Sequence, residues 1–445
     1  MTAYLPMDRE ERREMLASVG VDLDHLFDSI QESQKLKQTD FSGLKEKGYS
    51  EFEVVERLKS LANLNKHTDD YDSYLGAGFY DHYQPAAVKH LISRTEFLTA
   101  YTPYQAEISQ GTLQAIFEWQ SYICRLTGMD VSNASLYDGA SAAAEAALMA
   151  CRDKRLYKIF VSAGMHPEYI ETIQTYCHAA DIEVEIGELN QAGQTEDFPT
   201  EKGYACFMVQ SPNFYGVVED LAQTAEKAHA VGAHAAVSCD LISLALLQRP
   251  GDHDVDIVTG EAQALGIPMS FGGPGVGFMA ISQKLLRKMP GRIAGETVDR
   301  DGKTSYVLTI QAREQHIRRE RATSNICTSQ ALMATAATIW LALMGASGIR
   351  DVAEQSAAKA LYLQDKLLAT GLFQKAYDAP VFREFALIAK NELDLNKLNQ
   401  DLLKEKIFGG LVVDDKCWLL AVTEKKSKQR MDEFVETVER LAKSQ

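Results

Sequence analysis

Hydrophobic positions change their period along the chain. In LKEKGYSEFEVVERLKSLANLN (44–65), Phe52, Val55 and Leu58 recur at helical spacing inside a charged stretch. The first seventy residues share that character and predict an N-terminal helical arm (1–70) that docks on a neighbour. SQGTLQAIFEWQSYICRLTG (109–128) sets Leu113, Ile116, Phe117, Ile123 and Cys124 on one face and stops at Gly128. This predicts an amphipathic helix with a glycine end. Short runs at 159–161, 206–209, 235–237, 256–258 and 277–281 are apolar throughout instead of alternating, as strands covered on both faces are. Helical segments lie between several of them. One, 167–180, opens on a proline, and another, 220–231, closes before Gly232. Strand and helix at this spacing predict an α/β fold with a mostly parallel sheet over 71–345.

No charged residue occurs from 322 to 349, which predicts one long helix there. Nine Ser, Thr, Asn and Gln side chains interrupt its apolarity. A helix inside a large protein or at a subunit interface fits better than a membrane span. A second helix (351–368) leads to Gly371. PVFREFALIAK, DLNKLNQDLLKEK, CWLLAVT and a closing helix (426–443) follow. This alternation predicts a small C-terminal α+β domain over 346–445.

Composition narrows the function. The 445 residues carry 62 acids against 46 bases, a formal charge of −16. A nucleic-acid partner is not expected, because phosphates need a positive footprint. Seven cysteines without a CxxC pair imply neither a disulfide framework nor a metal site, and suit a reducing cytoplasm. The stretch MTAYLPMDREERREML (1–16) has no apolar core of a secretory signal.

In open parallel sheets ligands sit beyond the carboxyl ends of the strands. Four features fall there. Asp138, Gly139 and Ser141 precede the alanine-rich run AAAEAALMA, where free amides and the helix dipole can hold a phosphate; a merely tight turn is the alternative. His166 precedes a helix-starting proline and can stack on a planar ligand or bond backbone. Asp240 follows AAVSC and can pair with a ring nitrogen or cap a helix. FGGPGVGF (271–278), with Gly272 and Gly273, permits close backbone approach before a strand.

In this order the four features resemble fold type I pyridoxal-phosphate enzymes. That family carries its cofactor on a lysine just before the glycine turn. Here LISLALLQRPGDHDVDIVTGEAQALGIPMS (241–270) holds no lysine, and Lys284 lies beyond the turn. YLGAGFYDHYQP (74–85), TAYTPYQAEISQGTLQAIFEWQ (99–120), LTGMDVSNASLYDGASAAAEA (126–146), QSPNFYGVVED (210–220), GEAQALGIPMSFGGPG (260–275) and REQHIRRERATSNICT (313–328) sharpen the likeness. They resemble the P-protein family of the glycine cleavage system, glycine dehydrogenase (decarboxylating), and within it the subunit 1 (alpha) type of chain. The lysine position falls near Ala264, give or take one residue.

The resemblance implies a fold type I large domain and a chain inactive alone. Pyridoxal phosphate is expected on subunit 2 (the beta chain), within an α2β2 assembly. Glycine would lose carbon dioxide there, and its aminomethyl group would pass to the lipoyl disulfide of the H-protein. Loops of this chain would complete the partner's site. Candidates are Tyr101, Tyr104 and Glu107 in one polar, aromatic loop, and Arg313, His316, Arg318 and Asn325 in another. The second loop has four arginines within nine residues; a solvated helix face is its alternative. Asp138, Gly139, Ser141, His166, Asp240, Gly272 and Gly273 would then line a vestigial pocket. Two other functions stay open: a stand-alone pyridoxal-phosphate enzyme using Lys284 or Lys303, and a non-enzymatic assembly or regulatory protein.

Overall fold

The computed structural model describes residues 8–35, 43, 48–390 and 392–445. It divides into two units, Met1–Lys66 and His67–Gln445. The opening stretch 1–7, and 36–42 and 44–47 of the expected arm, lie outside the described residues. Within the first unit, α1 (Arg9–Ser18) and α2 (Glu51–Ala62) both begin in capping boxes, Asp8 with Glu11 and Ser50 with Glu53. Phe52 and Leu58 of α2 are exposed.

In the second unit the amphipathic helix α3 is Gln110–Thr127, and Gly128 ends it in the left-handed conformation (φ 75°). The continuous apolar runs form a seven-stranded sheet. Its strands are β1 (Val131–Ser132), β2 (Lys158–Ser162), β3 (Glu183–Gly187), β4 (Cys206–Ser211), β5 (His234–Cys239), β6 (Ile257–Glu261) and β7 (Gly277–Ile281). The order is β1-β7-β6-β5-β4-β2-β3. β3, β2, β4, β5 and β6 pair in parallel, and β7 runs antiparallel to β6 and β1. Helices α4 (Gly139–Lys154), α5 (Pro167–His178) and α6 (Leu221–Ala230) form the connections. Ala142, Ala146 and Ala150 of α4 pack with Val161, Met208 and Ile257 in one apolar cluster. Their small side chains let the helix lie close on the sheet.

Two expectations change. The uncharged stretch is not one helix from residue 322. The helix α7 starts at Ala331 and runs to Ala369, broken at Gly345 (φ 61°, ψ −176°). It therefore absorbs the expected second helix. Its Ala334, Ala337 and Trp340 lie in the cluster that holds Val237 and Phe278. Its length and composition alone would also suit a membrane span. Between the sheet and α7 an unexpected hairpin appears, β8 (Ile293–Val298) with β9 (Thr304–Thr309).

A second, antiparallel sheet has the order β10-β11-β13-β12, from β10 (Phe373–Lys375), β11 (Glu384–Ala389), β12 (Leu411–Val412) and β13 (Cys417–Ala421). Helices α8 (Leu395–Lys404) and α9 (Lys428–Ala442) accompany it. Leu387, Leu398, Trp418 and Phe434 share its core.

Candidate functional site

Where β4, β5 and β6 end, a cavity of about 60 Å³ is lined by Tyr80, His166, Asn213, Asp240, Glu261 and Arg383, among others. Asp138 caps α4: its Oδ1 accepts from Ser141 N at 2.7 Å, and its own N–H donates to Ser141 Oγ at 3.3 Å. The first amide of that helix, Gly139 N, donates to Glu261 Oε2 at 3.0 Å. Glu261 Oε1 accepts from Val276 N at 2.7 Å and Gln263 N at 3.0 Å. Glycine is required beside this carboxylate. A Cβ at Gly139 would stand 2.0 Å from Tyr169 Oη, and one at Gly275 2.9 Å from Glu261 Oε2. Burial pushes the Glu261 carboxyl up, while the three amides oppose that shift.

Asp240 accepts from Ser243 N at 2.8 Å through Oδ1, and its Oδ2 is paired with Arg383 Nη2. The Arg383 side chain is 3% exposed and lies 3.5 Å over the Tyr80 ring. Its Nη1 donates to His82 Nε2 at 2.7 Å. His82 therefore carries its proton on Nδ1 and donates it to Glu424 Oε2 at 2.6 Å. Next to Arg383, Glu384 accepts from Ala77 N at 2.6 Å and Tyr80 Oη at 2.7 Å. Burial raises this carboxyl to about 7. His166 is the N-cap of α5: Nδ1 accepts from Glu168 N at 3.2 Å, and Nε2 sits 3.0 Å from Ala77 O. Neither ring nitrogen is left for a ligand. Gly272 and Gly273 stand on a turn outside this lining, their Cβ positions facing open space. Of the residues expected in the pocket, His166 and Asp240 line the cavity, Asp138, Gly139 and Ser141 form the adjoining helix start joined to it through Glu261, and Gly272 and Gly273 stand outside it.

Several residues that organise the cleft were not picked out from the sequence: Tyr80, His82, Glu261, Arg383, Glu384 and Glu424. A signal existed. Arg383-Glu384 and Glu261 are charges placed at the ends of otherwise apolar strands, and a buried charge needs a partner.

Pyridoxal phosphate does not fit these residues. Ala264 is buried among Leu265, Ile267 and Trp340 and offers no amine. Gln263 spends its side-chain amide on Tyr80 and Ile267. The space left between these side chains is small, about 60 Å³. Neither Lys284 nor Lys303 reaches the cleft. Lys284 pairs with Asp256, at the start of β6 and the opposite end of the sheet. Lys303 closes the β8–β9 turn, its backbone bonded to Asp299.

The second group of candidates is arranged differently. Tyr101 and Tyr104 are 72% and 57% exposed, and Glu107 is exposed. Behind them Arg292, 5% exposed, donates from Nη1 to Thr102 Oγ1 and from Nη2 to Tyr104 Oη, each at 3.1 Å. Its Nε lies 3.5 Å from Glu314 Oε2. The run from 311 to 321 is not one solvated helix face. It is a chain of short turns, Gln311–Arg313, Gln315–Arg318 and Arg319–Arg321. Arg313 is 8% exposed and donates from Nη1 to Met289 O. Its Nε and Nη2 have no hydrogen-bond partner among the described residues. His316 Nδ1 lies 3.5 Å from Glu314 Oε2, and Arg318 Nε donates to Ala312 O at 3.0 Å. His316, Arg318 and Asn325 are exposed.

Comparison with known proteins connects these observations. A family model described as "Glycine cleavage system P-protein" matches residues 2–438. A probable glycine dehydrogenase (decarboxylating) subunit 1 from Desulforamulus reducens is 50% identical over 96% of this chain and 97% of its own. One of the same name from Chlorobium phaeobacteroides is 47% identical over 96% and 97%. A crystal structure of glycine decarboxylase (P-protein) of the glycine cleavage system, in inhibitor-bound form, superposes with a TM-score of 0.87. Its identity is 37%, covering 99% of this chain and 100% of that one. The fold alone extends to a sphingosine-1-phosphate lyase of Burkholderia pseudomallei (TM-score 0.65, 13% identity, 94% and 95% covered).

Proposed function

The chain belongs to the glycine cleavage system P-protein family, and from that premise we propose how it takes part in the reaction. It is a glycine dehydrogenase (decarboxylating) subunit of the subunit 1 type, with a fold type I α/β architecture, and it works in a complex with a second subunit. Overall, glycine and the oxidised lipoyl group of the H-protein give an aminomethyl-dihydrolipoyl group and carbon dioxide. The pyridoxal phosphate that the family uses sits on subunit 2, in a cytoplasmic α2β2 assembly that meets the H-protein. The observation that carries this division of labour is the amine-free connection between β6 and β7, with Ala264 where the family's lysine would stand.

In this proposal the chain brings side chains to the partner's site. Tyr101, Tyr104 and Glu107 lie on one exposed loop, and His316, Arg318 and Asn325 on another. Arg313, between them in kind, is a buried cation with free donors. A buried guanidinium with open N–H groups favours an anion arriving from outside, such as a carboxylate or a phosphate. The chain is organised as an arm (1–70), a large domain (71–345) and a small domain (346–445).

The test uses this chain and its lysine-bearing partner, alone and mixed, with H-protein. Glycine-dependent exchange of labelled carbon dioxide is followed. Borohydride reduction and mass spectrometry then locate the cofactor. Exchange only in the mixture, with cofactor mass on the partner alone, is expected. Exchange by this chain alone, or reduced cofactor on one of its lysines, overturns the proposal in favour of a stand-alone enzyme.

A further inference from the structure

We infer that Glu261 is a built-in anion that occupies the oxyanion cradle of this chain's own cleft and keeps phosphate esters out of it. The inference rests on the lysine-less reading above and deepens it. Losing the lysine removes only the covalent attachment. A cleft with an intact phosphate cradle would still bind the free cofactor and divert it from the partner subunit.

The cradle is built from a helix start and two neighbouring amides. Helix α4 has 16 residues and presents its N-terminus at the carboxyl end of the sheet. Its positive end favours a negative charge. The amides of Gly139, Gln263 and Val276 all point at the Glu261 carboxylate, the first at Oε2 and the other two at Oε1, with contacts of 2.7–3.0 Å. A phosphate oxygen would need those same donors. Glu261 is part of β6, so it competes intramolecularly, without the entropic cost of bringing a free anion to the site. Tyr169 closes the remaining approach, standing so near Gly139 that even a methyl group would collide with its hydroxyl.

A second, independent closure lies on the ring side. Asp240, the group placed to meet a pyridine nitrogen, is already neutralised by Arg383, which comes from the small sheet. Arg383 is in turn fixed by His82 and the Tyr80 ring. The cavity that remains is about 60 Å³. Both ends of a cofactor are thus replaced by the chain's own side chains, a carboxylate for the phosphate and a guanidinium for the ring.

The experiment measures binding to the full-length chain, not turnover. Wild type, Glu261→Gln and Glu261→Ala are dialysed against inorganic phosphate, and separately against pyridoxamine 5′-phosphate, which carries the phosphate but cannot condense with a lysine. Circular dichroism and thermal melts establish that each variant is folded. Wild type is expected to bind neither probe saturably in the millimolar range. Glu261→Ala should bind inorganic phosphate at least about tenfold more tightly, because three amides and a helix end are freed. Glu261→Gln, which keeps the shape and loses the charge, should fall between the two. If the alanine variant does not fold, the glutamine variant decides, by whether it binds phosphate measurably more tightly than wild type. Saturable binding of pyridoxamine 5′-phosphate by wild type, or unchanged phosphate binding in the folded variants, overturns the inference. Either result leaves carbon dioxide exchange by the two-chain mixture unaffected, so the two readings fail separately.

Discussion

The closed cleft and the Tyr101–Arg313 face carry similar kinds of side chain and treat them in opposite ways. In the cleft every charge is answered within the chain. Glu261 has three amides, Asp240 has Arg383, Glu384 has Ala77 N and Tyr80, and His82 joins Arg383 to Glu424. On the face, two guanidinium groups are buried with donors to spare, and two tyrosines project into solvent. Leaving a buried donor unmatched costs about 1–3 kcal/mol. In the proposal above, a partner chain supplies the missing acceptor. One region is satisfied by its own side chains, and the other leaves donors unmatched among the described residues.

The contrast is broken or sharpened by three substitutions. The largest effect is expected from Arg383→Met. It strands Asp240 and removes a partner of His82, and losing one member of a buried pair costs about 3–5 kcal/mol. Urea unfolding of the lone chain measures it. A loss below about 1 kcal/mol would place the network among surface ion pairs and remove the contrast.

Next comes a pH effect at Glu384, whose carboxyl is raised from 4.5 to about 7. Between those values the folded chain holds a proton that the unfolded chain has released. Stability from this group is therefore full below the unfolded value, falls as pH rises through the window, and levels off above about 7. Glu384→Gln, which cannot ionise, should remove a slope on the order of 3 kcal/mol across the window. Parallel unfolding curves for the two proteins from acid to neutral pH would contradict the assignment.

The smallest stability effect, and one of opposite sign, is expected at Arg313. Arg313→Met removes a buried cation with two unbonded donors at the expense of its attraction to Glu314, and should leave the lone chain about 1 kcal/mol more stable. Mixed with subunit 2, the same variant should lose at least about tenfold in carbon dioxide exchange, because a charge-assisted contact is gone. Destabilisation of the lone chain with normal exchange in the mixture would show that Arg313 is ordinary structure.

How much of this was legible depended on the range of the interactions. The strands buried on both faces announced themselves as unbroken apolar runs, and β7 was expected at its observed bounds, Gly277–Ile281. The strand Glu183–Gly187 escaped because it alternates acids with apolar residues at the sheet edge, with solvent on one side. The stretch 322–330 was expected to be helical because it lacks charge. Absence of charge reports burial or contact, not backbone conformation, and the helix begins only at Ala331. Among site residues, Asp138 and Ser141 were placed correctly at a helix start, since capping is a local matter of three residues. Gly272 and Gly273 were expected in the pocket because of their order in the chain, and the turn carries them outside it.

The sequence alone determined the class of the protein and one decisive absence. Apolar periodicity dictates the α/β layers, and the lack of a lysine between Asp240 and Phe271 is readable without coordinates. Only the tertiary structure decided what stands in the place of what is missing. Glu261 lies 122 positions from Gly139, and Arg383 lies 143 from Asp240. Nothing local couples them. Their meeting follows from the parallel sheet, which gathers the ends of distant strands at one edge, and from the cost of burying a charge there without an opposite charge or a donor beside it.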